Sequence, residues 1–201
     1  MTKSKTGPSN TLRVIAGKWR SRKLEFPDID GLRPTADRVR ETLFNWLQEP
    51  IAYARCLDLF AGSGACGIEA LSRGARFVTF VDVSPSATSA IRRNLALLQA
   101  EDYEVVCEDS LTWLGRKNKE TVVQYDVVFL DPPFASDLLK RAVAAVERSD
   151  ALASNAYIYI ESAQELAVAL LPENWHLSKA KKAGKVYFYL YQRRDRTDGN
   201  E

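Results

Sequence analysis

Short apolar runs alternate with amphipathic stretches along most of this chain, from about residue 51 onward. The run 126–130 is almost entirely apolar, which is typical of a central parallel strand buried on both faces. Repeated strand–helix units predict an α/β fold of the doubly wound, Rossmann-like kind, with helices on both faces of a parallel sheet and two antiparallel strands closing it. Strands are predicted at 55–60, 77–81, 103–107, 126–130, 156–160, 176–178 and 186–191. Helices are predicted from the glycine-rich turn after the first strand through Arg73, from Pro85 to about Gln99 with Ser84 as the N-cap, and at 110–117, 137–148 and 163–170.

The first 50 residues follow a different pattern. Segments 12–16 and 22–26 predict a short β-hairpin around Gly17-Lys18. Thr35 has the position of an N-cap for a following helix. The apolar stripe of that helix consists of Val39, Leu43, Trp46 and Leu47.

We therefore expect a small hairpin-and-helix extension at 11–50 before a sheet domain at 51–192. The polar segments 1–10, a basic tail, and 193–201 are expected to be disordered.

Composition places the chain among ordinary globular proteins, because 46% of its 201 residues are hydrophobic and 27% are charged. No apolar run approaches the roughly 20 residues that span a bilayer, so no membrane partner is expected. Cys56, Cys66 and Cys107 show no metal-ligand spacing. We expect reduced thiols, no bound metal and a cytoplasmic location.

The positive charge is concentrated at the N-terminus, although the net charge is only +2. The first 24 residues hold seven Lys or Arg side chains and no acidic one, which leaves 21 basic against 26 acidic residues in the remainder. A basic arm on a mildly acidic body is typical of a polyanion-binding appendage.

A G-x-G-x-x-G motif, Gly62 to Gly67, lies between the strand at 55–60 and the next helix. Its glycines permit a tight turn and the close approach of backbone to a nucleotide-like ligand. Asp82, at the end of the next strand, has the position to accept hydrogen bonds from a ribose diol. The spacing also fits a nicotinamide dinucleotide fold. Asp58 lies four positions before Gly62, with Phe60-Ala61 between them, and this placement suits the α-ammonium group of a methyl donor better than a pyrophosphate.

Two acidic residues near this turn have two interpretations each. Asp109 follows the third strand, from which it can bind an adenine amino group, but it can equally cap the next helix. Asp58 can contact a ligand or only hold the glycine turn through backbone hydrogen bonds.

The tetrapeptide Asp131-Pro132-Pro133-Phe134 follows the fourth strand, at the sheet edge where open α/β folds bind ligands. The Asp131 carboxylate and the Pro132 carbonyl can accept the two N–H bonds of a planar amino group, and Phe134 offers a face on which a base stacks. Together with the glycine turn, this turn predicts methyl transfer to an exocyclic amino group of a nucleic-acid base.

These motifs make the chain resemble the bacterial 16S ribosomal RNA (guanine-N2)-methyltransferase family in its short single-domain form, over roughly residues 12–192. The resemblance rests on Arg13–Arg20, Leu32–Thr35, Asp37–Asn45, Asp58–Gly64 and the Asp-Pro-Pro-Phe turn. It implies a class I methyltransferase fold with S-adenosylmethionine as the cofactor. It also implies that the acceptor is the N2 amino group of a guanine, guanine 966, in the assembled or assembling small (30S) subunit. We expect the protein to be a monomer.

By matching position, the resemblance assigns donor binding to Asp58, Phe60, Gly62, Gly64, Asp82 and Asp109, and catalysis to Asp131, Pro132 and Phe134. The family often has Glu at the position of Asp82 and Gly at that of Ala16. The basic arm becomes a clamp on the rRNA backbone, composed of Arg13, Lys18, Arg20, Arg22, Lys23, Arg33, Arg38 and Arg40.

Two other functions fit the same residues. A DNA or RNA adenine-N6 or cytosine-N4 methyltransferase carries a similar Asp-Pro-Pro-aromatic turn, although about 200 residues leave no room for a target-recognition domain. A non-catalytic ribosome-assembly factor on a methyltransferase fold is the second alternative.

Overall fold

The computed structural model describes residues 9–27, 37–116, 123–133 and 137–194. The predictions for Arg33, Thr35, Phe134 and most of both tails lie outside these residues. The strands are β1 (Ser9–Arg13), β2 (Lys23–Pro27), β3 (Arg55–Asp58), β4 (Phe77–Asp82), β5 (Tyr103–Cys107), β6 (Tyr125–Leu130), β7 (Leu152–Ser162), β8 (Trp175–Ala183) and β9 (Val186–Arg193). The helices are α1 (Asp37–Trp46), α2 (Ala65–Ser72), α3 (Pro85–Leu97), α4 (Ser110–Gly115) and α5 (Leu138–Arg148).

Seven strands form one sheet in the order β5-β4-β3-β6-β7-β9-β8. The pairs from β5 to β7 are parallel, and β9 runs antiparallel to both β7 and β8. The chain moves outward from β3 to β5 and then returns to β6 on the other side of β3. The topological switch point therefore lies between β3 and β6, which is where such sheets bind ligands. The predicted doubly wound α/β fold is confirmed.

Helices cover both faces of this sheet. One buried cluster joins residues of α1, α2 and α3 to one face, and a second joins α4 and α5 to the other. The start of α3 follows the sequence prediction, since the Ser84 hydroxyl accepts a hydrogen bond from the Ala87 amide and Pro85 occupies the first turn. No helix in the described part of the chain has the length and apolar content required to cross a membrane.

The N-terminal extension is fastened to α2 by polar contacts. Both oxygens of the buried Glu69 carboxylate accept backbone amides, from Ile15 at 2.8 Å and Ala16 at 3.0 Å. Ser72 accepts the Lys18 amide on its carbonyl at 2.7 Å. Apolar residues of the hairpin and α1 share one buried cluster with the sheet. The extension is therefore attached to the helix that follows the glycine turn by both polar and apolar contacts.

Several element boundaries differ from the sequence prediction. The hairpin pairs Arg13 with Lys23 and not around Gly17, because residues 14–22 form a longer connection held by the Val14 amide on the Arg22 carbonyl. The strand predicted at 176–178 extends from Trp175 to Ala183.

The helix predicted at 163–170 is wrong, because only a single 3₁₀ turn, Val168–Leu170, forms there. Val168 and Leu170 are exposed, so the segment has no continuous apolar face to pack, although Leu166 is half-buried against the sheet. The Leu166 amide donates to the Tyr189 hydroxyl and not to a helical carbonyl.

Candidate active site

The glycine turn lies at the carboxyl end of β3, at the switch point. Gly62 and Gly64 have φ angles of 52° and 76°, in the left-handed region that glycine adopts without strain. The Ala61 amide donates to the Val81 carbonyl of β4 at 3.0 Å, which anchors the turn to the neighbouring strand. Phe60 is half-buried beside it. The turn therefore presents backbone, and not side chains, above the sheet edge.

Asp58 ends β3 beneath this turn and is almost fully buried. Its carboxylate accepts the Gly67 amide at 2.9 Å, so the structural role considered from the sequence is real. Burial raises the pKa of Asp58 to about 7, the Asp82 charge adds to this increase, and the Gly67 hydrogen bond opposes it. A cation beside this carboxylate would offset the cost of burying its charge.

Asp82 ends β4 and is half-buried. One of its oxygens accepts the Gly62 amide at 2.7 Å and the other accepts the Ser84 amide at 2.8 Å. A carboxylate has about four acceptor positions, so these contacts orient Asp82 and leave it able to bind hydroxyl groups. The Asp82 side chain, shorter than the Glu that is common at this position in the family, is thus held against the glycine turn by a hydrogen bond.

Asp109 caps α4, as one of its two interpretations predicted. Its carboxylate accepts both the amide and the hydroxyl of Thr112 at 2.8 Å. These hydrogen bonds hold the pKa of Asp109 below its usual value. The residue lies exposed beyond β5, at the same sheet edge as Asp82.

The proline turn follows β6, which pairs directly with β3. Asp131 is half-buried, Pro132 is buried and Pro133 is exposed. Asp58 is opposite Phe129 in the β3–β6 register, so the glycine and proline turns emerge from adjacent strands. Neighbouring strands lie about 4.8 Å apart. The structure therefore brings the predicted donor and acceptor halves of the site together.

A further buried carboxylate, Glu161, lies beside the proline turn and is absent from the site predicted from the sequence. The register pairs Leu130 with Ile160, which places Glu161 beside Asp131 at the ends of β7 and β6. Glu161 is buried, and the Tyr159 hydroxyl donates to it at 2.7 Å. Burial and the Glu161 charge raise the pKa of Tyr159 well above its usual value, so the phenol keeps the proton it donates. The sequence carried a signal that could have identified Glu161, because an acidic residue lies at or just beyond the end of each parallel strand and Glu161 is the one that follows the run 156–160.

Arg40 corrects one sequence interpretation. It was expected to extend the RNA-binding surface, but its side chain is only 1% exposed. Its guanidinium donates to the Asp37 carboxylate at 2.6 Å and to the Arg13 carbonyl at 2.9 Å. Burial and then the charges of Asp58, Glu161 and Asp131 raise the pKa of the Cys66 thiol well above its usual value, and the Arg40 charge opposes this increase. Arg40 thus lies between the extension and the site and is not a surface contact for a phosphate.

The other basic side chains of the described extension are exposed. Arg13 forms a surface ion pair with Asp37 at 3.2 Å, and the Lys18 ammonium lies 5.6 Å from the centre of the Trp19 ring. The exposed members of the predicted clamp within the described residues are Arg13, Lys18, Arg20, Arg22, Lys23 and Arg38.

The donor half fits S-adenosylmethionine by its own chemistry. A buried carboxylate whose pKa is near 7 suits an α-ammonium group, and an oriented carboxylate at the end of β4 suits a ribose diol. Gly62 and Gly64 hold the turn between them in a left-handed conformation without side chains. No cluster of His, Cys, Asp and Glu suited to a metal ion occurs among residues 9–27, 37–116, 123–133 and 137–194.

The glycine turn at the switch point and the acidic residue at the end of β4 are shared with other nucleotide-binding folds, but here the sheet also closes with β9 antiparallel between β7 and β8. With the proline turn beside the glycine turn, this is the class I S-adenosylmethionine-dependent methyltransferase fold. The chain belongs to the family described as Conserved hypothetical protein 95, whose profile matches residues 12–192.

Proteins similar to this chain carry more specific names. Ribosomal RNA small subunit methyltransferase D of Escherichia coli K12 is 45% identical over 193 residues, which cover 96% of each chain. The protein of the same name from Haemophilus influenzae is 45% identical over 183 residues, 90% of this chain and 93% of that one. A solved structure described as a putative methyltransferase from Escherichia coli is 44% identical, with a TM-score of 0.82 over 92% of this chain and 99% of the other.

Proposed function

We propose that this protein transfers a methyl group from S-adenosylmethionine to the exocyclic N2 amino group of a guanine in 16S rRNA. Its substrate is the assembled or assembling small ribosomal subunit, and it acts in the cytoplasm as a monomer. The names of its relatives support rRNA as the substrate. Guanine 966 as the position follows from the family resemblance, and mapping of the methyl group in the rRNA tests it.

The observation that carries this proposal is the position of the Asp-Pro-Pro turn beside the glycine turn, on adjacent strands. Pro132 and Pro133 have no amide hydrogen, so the turn presents acceptors and not donors. The Asp131 carboxylate and the Pro132 carbonyl accept the two N–H bonds of the amino group, which aims the nitrogen lone pair at the methyl group. Phe134, outside the described residues, is proposed to stack on the base.

S-adenosylmethionine supplies an electrophilic methyl group on a sulfonium. The protein's contribution is to hold and polarise the amino nitrogen, and Asp131 stabilises the positive charge that develops there. Asp58 and Asp82, held by backbone amides, keep the donor half in one geometry before the base arrives.

Glu161 supports guanine over adenine as the base. The Watson–Crick edge of guanine presents two adjacent donors, the N2 amino group and N1–H, whereas N1 of adenine is an acceptor. Two neighbouring carboxylates, Asp131 and Glu161, match the two donors of guanine. Beside adenine N1, a carboxylate would face another acceptor without a hydrogen bond, and such a mismatch discriminates strongly.

The test uses purified protein, labelled S-adenosylmethionine and small ribosomal subunits, with the product identified by nucleoside mass spectrometry. We expect N2-methylguanosine. We expect Asp131→Ala to abolish turnover while the affinity for S-adenosylhomocysteine changes little. Asp102→Asn, which alters an exposed carboxyl before β5 at the opposite sheet edge, is the matched control and should keep full activity.

Other results would favour other functions. Methyladenosine or methylcytosine as the only product would make the protein an adenine-N6 or cytosine-N4 methyltransferase. Failure to bind S-adenosylhomocysteine in calorimetry would favour a non-catalytic assembly factor. An equal loss of donor affinity and turnover in Asp131→Ala would assign that residue a structural role.

A further inference from the structure

The last two strands carry a second concentration of positive charge. Residues 174–194 include six Lys or Arg side chains and no Asp or Glu. β8 is the edge strand of the sheet, and most of its side chains are exposed. The exposed lysines of the β8–β9 hairpin are Lys179, Lys181, Lys182 and Lys185.

The tip of this hairpin lies at the same sheet edge as the site. The carboxyl end of β7 is at Ser162, which pairs with Tyr187 near the start of β9. Ala183 at the end of β8 pairs with Val186, so the turn around Lys185 lies beside the carboxyl end of β7. The donor residues follow β3, β4 and β5, on the other side of β6. The hairpin therefore lies on the acceptor side of the site.

The strand registers align one lysine with the proline turn. Glu161, beside Asp131, is opposite Phe188, and Phe188 is opposite Lys181. Three strand spacings separate β6 from β8, a distance of about 14 Å. Directly paired residues point to one face, and on that face Trp46 of α1 stacks on Phe188, with ring centres 5.3 Å apart. Lys181 and the extension helix thus share a face of the sheet.

Protection of an edge strand explains only part of this charge. Lysines on an edge strand discourage pairing with another chain, which accounts for Lys179 in the middle of β8. Lys185 lies in the turn, where no ladder is exposed. The Lys182 ammonium lies 4.3 Å from the centre of the Tyr187 ring and donates to its hydroxyl at 2.7 Å. Charge is therefore concentrated at the tip beside the site.

We propose that the hairpin tip, formed by Lys181, Lys182 and Lys185, binds the phosphate backbone of the rRNA next to the base that enters the site. This inference rests on the proposed function and extends it. Lysine ammonium groups without acidic neighbours in the segment complement a polyanion. A second contact on the acceptor side, apart from the basic extension, holds the RNA at two points and fixes the orientation of the target nucleotide.

The experiment compares Lys181→Ala/Lys185→Ala with a control that removes the same charge at the opposite sheet edge, Arg76→Ala/Arg148→Ala. Lys182 is retained because its ammonium contacts Tyr187. Binding to small ribosomal subunits and kcat/KM are measured between 50 and 200 mM salt. Loss of two phosphate contacts lowers the slope of log affinity against log salt by about 1.4–1.8. The ratio of wild-type to variant affinity then falls about 7- to 12-fold across that range.

We expect the hairpin variant to bind subunits more weakly at 50 mM salt and with a flatter slope, while the control matches the wild type. Thermal midpoint and S-adenosylhomocysteine affinity should be unchanged in both. An unchanged slope, or equal effects in the two variants, would overturn the inference. The inference would also fail if the hairpin variant bound free rRNA normally but bound whole subunits more weakly by a factor independent of salt. That result would indicate a ribosomal protein as the partner.

Binding also separates this inference from the proposed activity. If the wild type binds subunits with a steep salt slope but forms no N2-methylguanosine, the proposed activity fails and the hairpin variant still tests the contact.

Discussion

Replacement of Gly17 by alanine tests whether the extension is an integral part of the catalytic domain. Gly17 has a φ of +82°, and a Cβ atom there would lie 1.8 Å from the Ser72 carbonyl oxygen and 2.8 Å from its hydroxyl. Ser72 ends α2, so the obstacle is backbone that cannot rotate away. Either the connection 14–22 separates from α2 or α2 itself shifts.

The structure sets the size of the effect. An alanine in the left-handed region costs about 1–2 kcal/mol. Separation also breaks hydrogen bonds from the Lys18 amide to the Ser72 carbonyl, from the Trp19 amide to the Ser72 hydroxyl, and from that hydroxyl to the Ala16 carbonyl. Each contributes about 1 kcal/mol. We therefore expect the free energy of unfolding to fall by about 4–5 kcal/mol.

Gly74→Ala is the matched control, because Gly74 has a φ of +96° and a Cβ there would meet nothing within 4 Å. It should lose only the backbone contribution, about 1–2 kcal/mol. The difference of about 3 kcal/mol corresponds to a gap of roughly 6–12 °C in Tm for a chain of this size. The assay is thermal and denaturant unfolding of both variants. Equal losses would refute the reasoning, because they would show that the contacts with α2 contribute nothing.

Three further predictions concern the site. Gly67→Ala places a Cβ 2.2 Å from an atom of the Phe80 ring, so calorimetry should show weakened S-adenosylhomocysteine binding. Gly115→Ala, whose Cβ meets nothing within 4 Å, is the control and should bind more tightly than Gly67→Ala. Equal affinities of the two variants would contradict this prediction. Folding raises the pKa of Asp58 from 3.8 to about 7, so between these pH values the folded state retains a proton that the unfolded state releases. The contribution of this group to the free energy of unfolding should therefore fall by up to about 1.4 kcal/mol per pH unit over that range. Above pH 7 it should level off. Asp58→Asn should remove that slope in denaturant titrations, and a slope that persists would assign it to other groups. Glu161→Gln should lower kcat/KM on subunits about 5- to 30-fold, since a neutral acceptor binds N1–H about 1–2 kcal/mol less strongly. Donor affinity should be unchanged, and full activity would remove Glu161 from base recognition.

Local sequence signals predicted those elements whose stability is local. Ser84 and Pro85 began α3 as expected, because a cap depends on residues three positions apart. The helix expected at 163–170 failed because helix propensity is insufficient when only one apolar residue of the segment, Leu166, is packed and Val168 is 85% exposed.

Arg40 failed for a different reason. A charged residue outside the apolar stripe of α1 was taken as exposed. Its burial depends on the Arg13 carbonyl, 27 residues earlier, and this partner is visible only once the hairpin is placed against α1. Periodicity within a helix does not show which polar face another segment covers.

The two halves of the site differ in the same respect. The proposed donor half lies in one continuous stretch, where Asp58, the glycine turn and Asp82 span 25 residues. Its residues could therefore be predicted from their spacing along the chain. The proposed acceptor half depends on Asp131, Glu161 and Lys181, which are separated by 30 and 20 residues and aligned only by the pairing of β6, β7, β9 and β8. A slip of one residue between β7 and β9 would turn Phe188 away from Trp46 and move Lys181 to the other face. The packing that fixes this register therefore also fixes where the protein presents the positive charge proposed to bind rRNA.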